Sequence, residues 1–354
     1  MENKNTYDFF LGASCGDGFR SLFAQSYDVK DAWRAYIIKG GPGTGKSTLM
    51  KKLAAQGEKL SMTVERCYCS SDINSLDAVI LPEIKTAIMD GTSPHVVEPA
   101  NPGICEKIID VTTAWDISKL RENRMDILNL SQQCSACHKA AQASLKAAAV
   151  FNDANLLITD KYINEEKIKS CASRLMSVIG KVEKGMQSRR LLSAVSGGGV
   201  HFFANTMENR FSKVIAIEDR HSRCAGLLLG ELKKRIDFSS YNAYICCCSQ
   251  SPEKTEHILL PSSSLAFTTA NRFHCIENAK MIHASRFMTT APDAQERREL
   301  IANEKKRMMM IDEAGNLIAK AKKIHDELEA LYISAVDFDI VDSITQKTIS
   351  EIFS

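Results

Sequence analysis

The segment 40–47 constrains the fold of this chain more than any other, because it fits the phosphate-binding loop pattern G-x-x-x-x-G-K-[ST] in full. The residues before it, 35–38, are apolar and partly β-branched and predict a strand. The residues after it, 48–59, have the apolar spacing of a helix. A glycine-rich turn between a strand and a helix lets backbone N–H groups and the helix N-terminus face a phosphate. The pattern therefore predicts a nucleotide-binding α/β domain.

The loop and the start of the following helix supply the candidate nucleotide ligands, which are Gly40, Gly41, Pro42, Gly43, Thr44, Gly45, Lys46, Ser47 and Thr48. Lys46 can reach the β- and γ-phosphates of a nucleotide, and the Ser47 hydroxyl can ligate Mg²⁺. The sequence contains no N/T-K-x-D guanine-recognition motif. We therefore expect ATP rather than GTP, with Mg²⁺ as the metal.

Two aspartates are candidates for the carboxylate that phosphoryl chemistry needs to hold Mg²⁺. Asp90 follows an apolar strand-like run, in the manner of a Walker B aspartate, and Asp72 follows another predicted strand. With Lys46, these two residues are the candidate catalytic set, and with Ser47 they are the candidate metal ligands. The alternative for each aspartate is a helix cap or a turn residue.

The second half of the chain repeats the plan of the first. Cys67-x-Cys69-Ser70 aligns with Cys246-x-Cys248-Ser249 at a shift of 179 positions, the difference between 246 and 67. The same shift aligns His95 and Glu98 with His274 and Glu277. Identities in one register with one order of elements indicate a tandem duplication. Because His95 and Glu98 persist in both copies, a structural role is favoured for them over catalysis.

The shift of 179 positions carries the phosphate-binding loop onto residues 219–226, where the pattern is lost. Asp219 stands at the position of Gly40, and Ala225 stands at the position of Lys46. We therefore expect the second copy to keep the core but not to bind a triphosphate in the same way. Arg220 and Arg223 lie in this degenerate loop, and surface arginines are the favoured interpretation over an arginine finger that reaches the first loop.

The fold class predicted is α/β, with two tandem P-loop NTPase-type domains. Each has a parallel sheet core flanked by helices and is followed by a long helical segment. The domains span residues 1–186 and 187–354, with the boundary near 184–188. The glycines of Ser196-Gly197-Gly198-Gly199 are predicted to form a hairpin turn rather than an ABC-type signature.

Composition excludes several other classes. The net charge is +2 with the two signs interspersed, which gives no basic field for nucleic acid. A polar N-terminus and the lack of a long apolar run predict a cytoplasmic protein that does not enter a membrane. Cys134-Ser135-Ala136-Cys137-His138 matches the c-type haem pattern, but its alanine-rich helical surroundings favour a packed helix face.

Three blocks of sequence together resemble a known family. They are the loop followed by Thr-Leu-Met-Lys-Lys to Lys52, then Cys69-Ser70-Ser71-Asp72-x-x-Ser75-Leu76-Asp77, and then Asp90-Gly91-Thr92-x-Pro94-His95. The chain is similar over nearly its whole length to bacterial ATP-binding proteins with two tandem P-loop domains, which are mostly labelled ATPase or nucleotide kinase. The resemblance implies ATP binding at 40–48. The second domain of that family often keeps its own P-loop, and this chain departs from the family there.

The leading functional hypothesis is slow, Mg²⁺-dependent ATP hydrolysis in the first domain, with an inactive second domain that regulates it or docks a protein partner. One alternative is a kinase that passes the γ-phosphoryl group to a nucleotide or a small molecule. The other is a nucleotide-gated interaction module without turnover. The three hypotheses differ in when phosphate is released. The ATPase releases it from ATP alone, the kinase releases little until an acceptor is added, and the interaction module binds ATP without turnover.

Overall fold

The computed structural model of the chain describes residues 5–179, 187–236 and 243–354. In this part of the chain two six-stranded sheets, one from each half, are flanked by helices. Among the described helices, none combines the length and the apolarity that a membrane span requires.

The first half contains eight described strands and four described helices. They are β1 (Thr6–Phe10), β2 (Gly12–Cys15), β3 (Gly18–Ser21), β4 (Arg34–Lys39), α1 (Lys46–Lys59), β5 (Val64–Tyr68), β6 (Leu76–Leu81), β7 (Thr86–Asp90), β8 (Glu106–Asp110), α2 (Ile117–Glu122), α3 (Arg124–Asp160) and α4 (Glu165–Met176).

The described part of the second half has the same sequence of sheet elements and ends in two helices. They are β9 (Gln187–Arg190), β10 (Ser193–Ser196), β11 (Gly199–Phe202), α5 (Asn205–Glu208), β12 (Lys213–Glu218), α6 (Arg223–Arg235), β13 (Ala243–Cys247), β14 (Thr255–Leu260), β15 (Leu265–Ala270), β16 (Lys280–His283), α7 (Ala294–Ile333) and α8 (Phe338–Phe353).

The two sheets have corresponding strand orders. The first is β1-β5-β6-β7-β4-β8, and the second, read in the opposite direction, is β9-β13-β14-β15-β12-β16. In each half a two-stranded hairpin lies outside the sheet, and the turn of the second hairpin is formed by Gly197 and Gly198, as the sequence predicts. The corresponding orders agree with the register in which the sequence aligns its two halves.

Both sheets are mixed, so the prediction of a parallel sheet core is wrong in part. β6 runs antiparallel to β5 and β7, and β14 runs antiparallel to β13 and β15. The connections explain this, because a parallel crossover needs a dozen or more residues and these links are shorter. The β6–β7 link is one 3₁₀ turn, Pro82–Ile84, and Lys85 follows it with a left-handed φ of 47°.

Each half places its last helix on the sheet of the other half. Ile168, Cys171 and Ala172 of α4 are buried in the core that α6 and the second sheet form. In the same way, Ile352 of α8 is buried in the core of α1 and the first sheet. The two halves therefore exchange helices, and neither sheet is covered by its own half alone.

The long helices α3 and α7 lie antiparallel along each other and connect the exchanged helices. Their contact contains Ala141 and Leu145 of α3 with Ala314 and Ile318 of α7, all buried. Small side chains let two helices approach closely. Cys137 packs in the same seam, so the haem-like pentapeptide lies on a packed helix face.

The division into residues 1–186 and 187–354 remains a prediction. Residues 180–186, beside which its boundary falls, lie outside the described part of the chain. The helix before this boundary, α4, packs on the second sheet, and the last helix of the chain, α8, packs on the first.

A buried ion pair joins the two sheets where their edge strands meet. The β1 residue Phe10 and the residue after β9, Leu191, exchange backbone hydrogen bonds of 2.8 and 3.1 Å. Beside them, Arg190 Nε donates to Glu65 Oε2 at 2.8 Å, and the hydroxyl of Tyr244 donates to Glu65 Oε1 at 2.9 Å. The side chains of Arg190 and Glu65 are 1% and 2% exposed, so neither charge has access to water.

We expect Glu65→Ala to destabilise the chain by about 3–5 kcal/mol, because it leaves the Arg190 guanidinium charged, buried and unpaired. The measurement is the free energy of urea unfolding. Asp342→Ala is the matched control, since Asp342 pairs with Lys52 at 2.7 Å on the surface, where ion pairs contribute about 0–1 kcal/mol. Equal effects of the two substitutions would contradict the role assigned to the buried pair.

Candidate nucleotide-binding site

The predicted loop connects β4 to α1, as the sequence indicates. Residues Gly40, Gly41, Pro42, Gly43, Thr44 and Gly45 form the turn, and Lys46, Ser47 and Thr48 are the first three residues of α1. Gly43 and Gly45 have φ of 65° and 80°, a region that favours glycine. The Thr44 hydroxyl donates to Gly41 O at 2.8 Å and closes the turn.

Lys46 and Asp90 meet at the ends of two neighbouring parallel strands. The Lys46 ammonium lies 3.6 Å from Asp90 Oδ2 and also donates to Gly41 O at 2.6 Å and to Gly40 O at 3.1 Å. Asp90 is the last residue of β7, which pairs in parallel with β4. Thr92 holds the other carboxylate oxygen through its N–H at 2.9 Å and its hydroxyl at 2.6 Å. A cationic group and a carboxylate therefore face the glycine turn together.

Asp72, the other candidate acid, lies in the turn between β5 and β6. It accepts from Asn74 N at 3.0 Å and from the Ser75 hydroxyl at 2.9 Å. Lys322 of α7 lies 3.5 Å from it. Burial acts to raise the pKa of Asp72, but these hydrogen bonds and the lysine outweigh burial and lower it. Asp90 rather than Asp72 is thus the acid in contact with Lys46, and Asp72 has the contacts of a turn residue that pairs with the second half.

The Ser47 hydroxyl accepts a hydrogen bond from the backbone N–H of Leu76 at 2.9 Å. This contact fixes the start of α1 against the first residue of β6. The hydroxyl oxygen keeps its second lone pair. Ser47 and Asp90 therefore offer the kinds of oxygen that Mg²⁺ prefers.

Asp77 is a site residue that the sequence did not single out. It is 7% exposed, lies on β6, and its Oδ1 is 3.8 Å from Nε2 of His95. Burial raises the pKa of Asp77 to about 6, with the Asp90 charge adding to the rise and His95, Cys69 and Lys46 opposing it. Two features of the sequence could have pointed to Asp77. It is a carboxylate inside the apolar run 76–81, and the matching position of the second half is also an acid, Glu256.

The end of α7, from the second half, covers the loop. A Cβ added to Gly41 would lie 2.7 Å from Tyr332 Cε1, and a Cβ added to Gly43 would lie 2.9 Å from the carbonyl oxygen of Glu329. At Gly43 the backbone of α7 is therefore a second reason for glycine besides its φ of 65°, and at Gly41 a larger residue would have to displace the Tyr332 ring. The Glu329 carboxylate accepts from the Gly43 N–H at 3.3 Å, so a negatively charged oxygen already lies where a loop N–H points. The donors of the loop thus fit an anion.

The corresponding loop of the second half contains its own carboxylate. Asp219 is 8% exposed, and its two oxygens accept from His221 N at 3.2 Å and from Ala225 N at 3.0 Å. The side chain that replaces Gly40 therefore lies at the start of α6 and takes up backbone N–H groups there. The structure gives a physical reason for the predicted loss of triphosphate binding in this half.

The two arginines of the degenerate loop differ in their surroundings. Arg223 pairs with Asp160 at the end of α3, with Nε···Oδ1 of 2.5 Å and Nη2···Oδ2 of 2.8 Å. Arg220 is exposed. Arg223 therefore connects α3 to the second half, which is a structural role. His95 and His274 are both buried at equivalent positions, and the structural role favoured for them over catalysis stays a prediction.

Compared with protein-family models, with curated proteins and with solved structures, the chain gives no match. The geometry of the loop and of its neighbours therefore carries the functional argument by itself.

The free energy of unfolding should respond to pH through Asp77. Between pH 3.8, the ordinary pKa of the group, and about 6, its folded pKa, the folded state binds the proton and the unfolded state does not. Stability attributable to this group therefore falls as pH rises through that window. We therefore compare the free energy of unfolding of Asp77→Asn with that of the parent chain at two pH values. The difference, variant minus parent, should be about 2 kcal/mol more favourable to the variant at pH 7.5 than at pH 4.5. Urea unfolding at both pH values measures this, and an equal difference at both would contradict it.

Proposed function

We propose that the chain is an ATP-binding P-loop protein whose first half hydrolyses ATP slowly with Mg²⁺, and whose second half regulates it. One observation carries the proposal, the 3.6 Å approach of Lys46 to Asp90 beside a glycine turn that opens a helix. The lysine and the loop N–H groups are suited to bind the β- and γ-phosphates. The carboxylate of Asp90, with the Ser47 hydroxyl, is suited to hold Mg²⁺.

Regulation is proposed because residues of the second half lie against this loop. Glu329 accepts from Gly43 N, and His325 lies 3.4 Å from the same Glu329 oxygen. A phosphate that takes up the loop N–H groups competes with the Glu329 carboxylate for them. Binding of nucleotide and the position of the end of α7 are therefore coupled, since each alters the contacts of the other.

A nucleotide-gated interaction module without turnover is the second candidate, and the same contact favours it. If binding moves α7, then α7 and the exchanged helix α8 transmit the change to the surface of the molecule. This candidate needs no acceptor and no hydrolysis. It predicts tight ATP binding without phosphate release.

Lys46→Ala and Asp90→Asn separate binding from turnover. We expect Lys46→Ala to weaken ATP binding by about tenfold or more, because a charge-assisted hydrogen bond contributes roughly 1.5–3 kcal/mol. Asp90→Asn should retain ATP binding and lose Mg²⁺-dependent phosphate release. Calorimetric titration with ATP and a phosphate-release assay measure the two effects, with circular dichroism to verify the fold.

Lys51→Ala is the control, because Lys51 lies on the exposed side of the same helix, α1. Unchanged ATP affinity in Lys46→Ala would contradict the site. Phosphate release that appears only when an acceptor is added would show a kinase instead. Binding without release under both conditions would favour the gated module.

Glu329→Gln should tighten ATP binding by about two- to fivefold, because a negative charge near a helix N-terminus interacts by roughly 0.3–1 kcal/mol and the competing charge is removed. The control is Glu327→Gln, which makes the same change at an exposed position of the same helix, α7. Calorimetry at low ionic strength compares the two variants. Equal affinities of both variants and the parent chain would contradict competition at the loop.

A further inference from the structure

The second half contains a buried group of metal-binding side chains in the region that corresponds to the acids of the first half. Glu256, His257 and His274 each place one ligand atom within 4.8 Å of the other two, and all three residues are buried. Among the residues that the structure describes, this is the one such group. It does not belong to the phosphate-binding loop, and a ligand bound there does not depend on the proposed function.

Hydrogen bonds leave His257 with a lone pair that has no protein partner. The hydroxyl of Thr268 donates to Thr269 O at 3.2 Å, so it accepts from Nδ1 of His257 at 2.6 Å. The proton is then on Nδ1, and Nε2 carries the lone pair. His257 is 0% exposed, and its Nε2 has no hydrogen-bond partner among the described residues. A metal-ligating histidine almost always donates its other ring N–H to an oxygen acceptor, and the Thr268 hydroxyl supplies that acceptor here.

His274 is arranged in a comparable way. It is 3% exposed, its Nε2 lies 2.9 Å from the Ser193 hydroxyl, and its Nδ1 has no partner in the described part of the chain. Its ring centroid is 4.9 Å from that of His257. Each of these two neighbouring rings therefore has one buried nitrogen without a partner among the described residues, which is costly and points to a ligand.

Glu256 supplies the charge that a cation needs. Its Oε2 lies 4.0 Å from Nε2 of His274. Ligand atoms of a tetrahedral zinc site lie about 3.3 Å apart when each bond is about 2.0–2.1 Å long. The distances between the ligand atoms of this group, which are within 4.8 Å, therefore have to shorten by about 1.5 Å at most. The thiol of Cys248 is hydrogen-bonded to the same carboxylate. A set of two imidazoles, a carboxylate and a nearby thiol favours Zn²⁺ over Mg²⁺ or Ca²⁺.

Two cationic side chains face the group, Lys254 and Arg307. The Lys254 ammonium lies 3.5 Å from Glu256 Oε1, and its side chain is 27% exposed, so it can rotate into solvent. Arg307 is paired with Glu304 at 3.1 Å on α7. A bound cation therefore has to displace Lys254 alone.

The first half shows what distinguishes this group. The aligned positions there are Asp77, Ala78 and His95, so the acid and the second histidine have counterparts and His257 does not. We propose that the second half binds a Zn²⁺ ion through Glu256, His257 and His274, and that His257 is the residue that turns an acid–histidine pair into a metal site.

The test uses the full chain, stripped with a chelator and then titrated with Co²⁺ and Zn²⁺. We expect one ion per chain, a visible Co²⁺ spectrum typical of low coordination number, and no competition by Mg²⁺ or Ca²⁺. His257→Ala, which installs the residue of the first half, should weaken binding at least about a hundredfold, since loss of an outer support alone costs 10–100-fold. The control is His283→Gln, which changes a histidine that is 67% exposed.

Glu256→Gln tests the same site with a side chain of the same shape, should His257→Ala fail to fold by circular dichroism. A parent chain that binds no Co²⁺ or Zn²⁺ at equimolar concentration would overturn the proposal. So would His257→Ala or Glu256→Gln variants that fold and bind the ion as tightly as the parent chain. None of these results depends on ATP binding. A chain that binds no metal ion at this group can still bind ATP at the loop, and a chain that binds no ATP can still bind the metal ion.

Discussion

The end of α7, from the second half, packs against the glycine loop of the first half and brings the two halves together there. The backbone of Glu329 lies against Gly43 and leaves no room for a larger residue there, and the Tyr332 ring lies against Gly41. That contact exists because α8 is buried on the first sheet, which holds the end of α7 over the loop. Since α4 is buried on the second sheet in the same way, the two halves are covered by each other's helices. Packed helices therefore connect the loop to the second half.

The two halves share an architecture and differ in the side chains at equivalent places. Where the first half has Gly40 and Lys46, the second has Asp219 and Ala225, and the Asp219 carboxylate accepts N–H groups at the start of α6. Where the first half has Ala78, the second has His257, beside the glutamate that corresponds to Asp77. Duplication explains the common sheet orders, and a few substitutions at the strand ends account for the different ligand chemistry that we propose for the halves.

Sequence reasoning predicted the features that local pattern determines. The strand, glycine turn and helix around Lys46 follow from spacing, and the alignment of the halves predicted corresponding elements. Sequence reasoning missed that β6 and β14 run antiparallel to their neighbours, because an apolar run does not show the direction of its strand. The short links on either side of each strand do show it, since they are too short for a parallel crossover. Sequence reasoning also missed Glu329 and Tyr332 at the loop, since nearly three hundred residues separate them from Gly43 and no local pattern encodes that contact. Asp77 escaped notice because a single acid in a strand is typical of an exposed position.

Hydrogen exchange with and without ATP and Mg²⁺ reports on both loops and on α7 in one experiment. If the first loop binds ATP and the end of α7 responds, exchange slows over residues 40–48 and changes over 325–341, and residues 219–226 are unaffected. Protection of 219–226, or no change at 40–48, would contradict this expectation. Protection at 40–48 with no change at the end of α7 would show a nucleotide site that is not coupled to the other half.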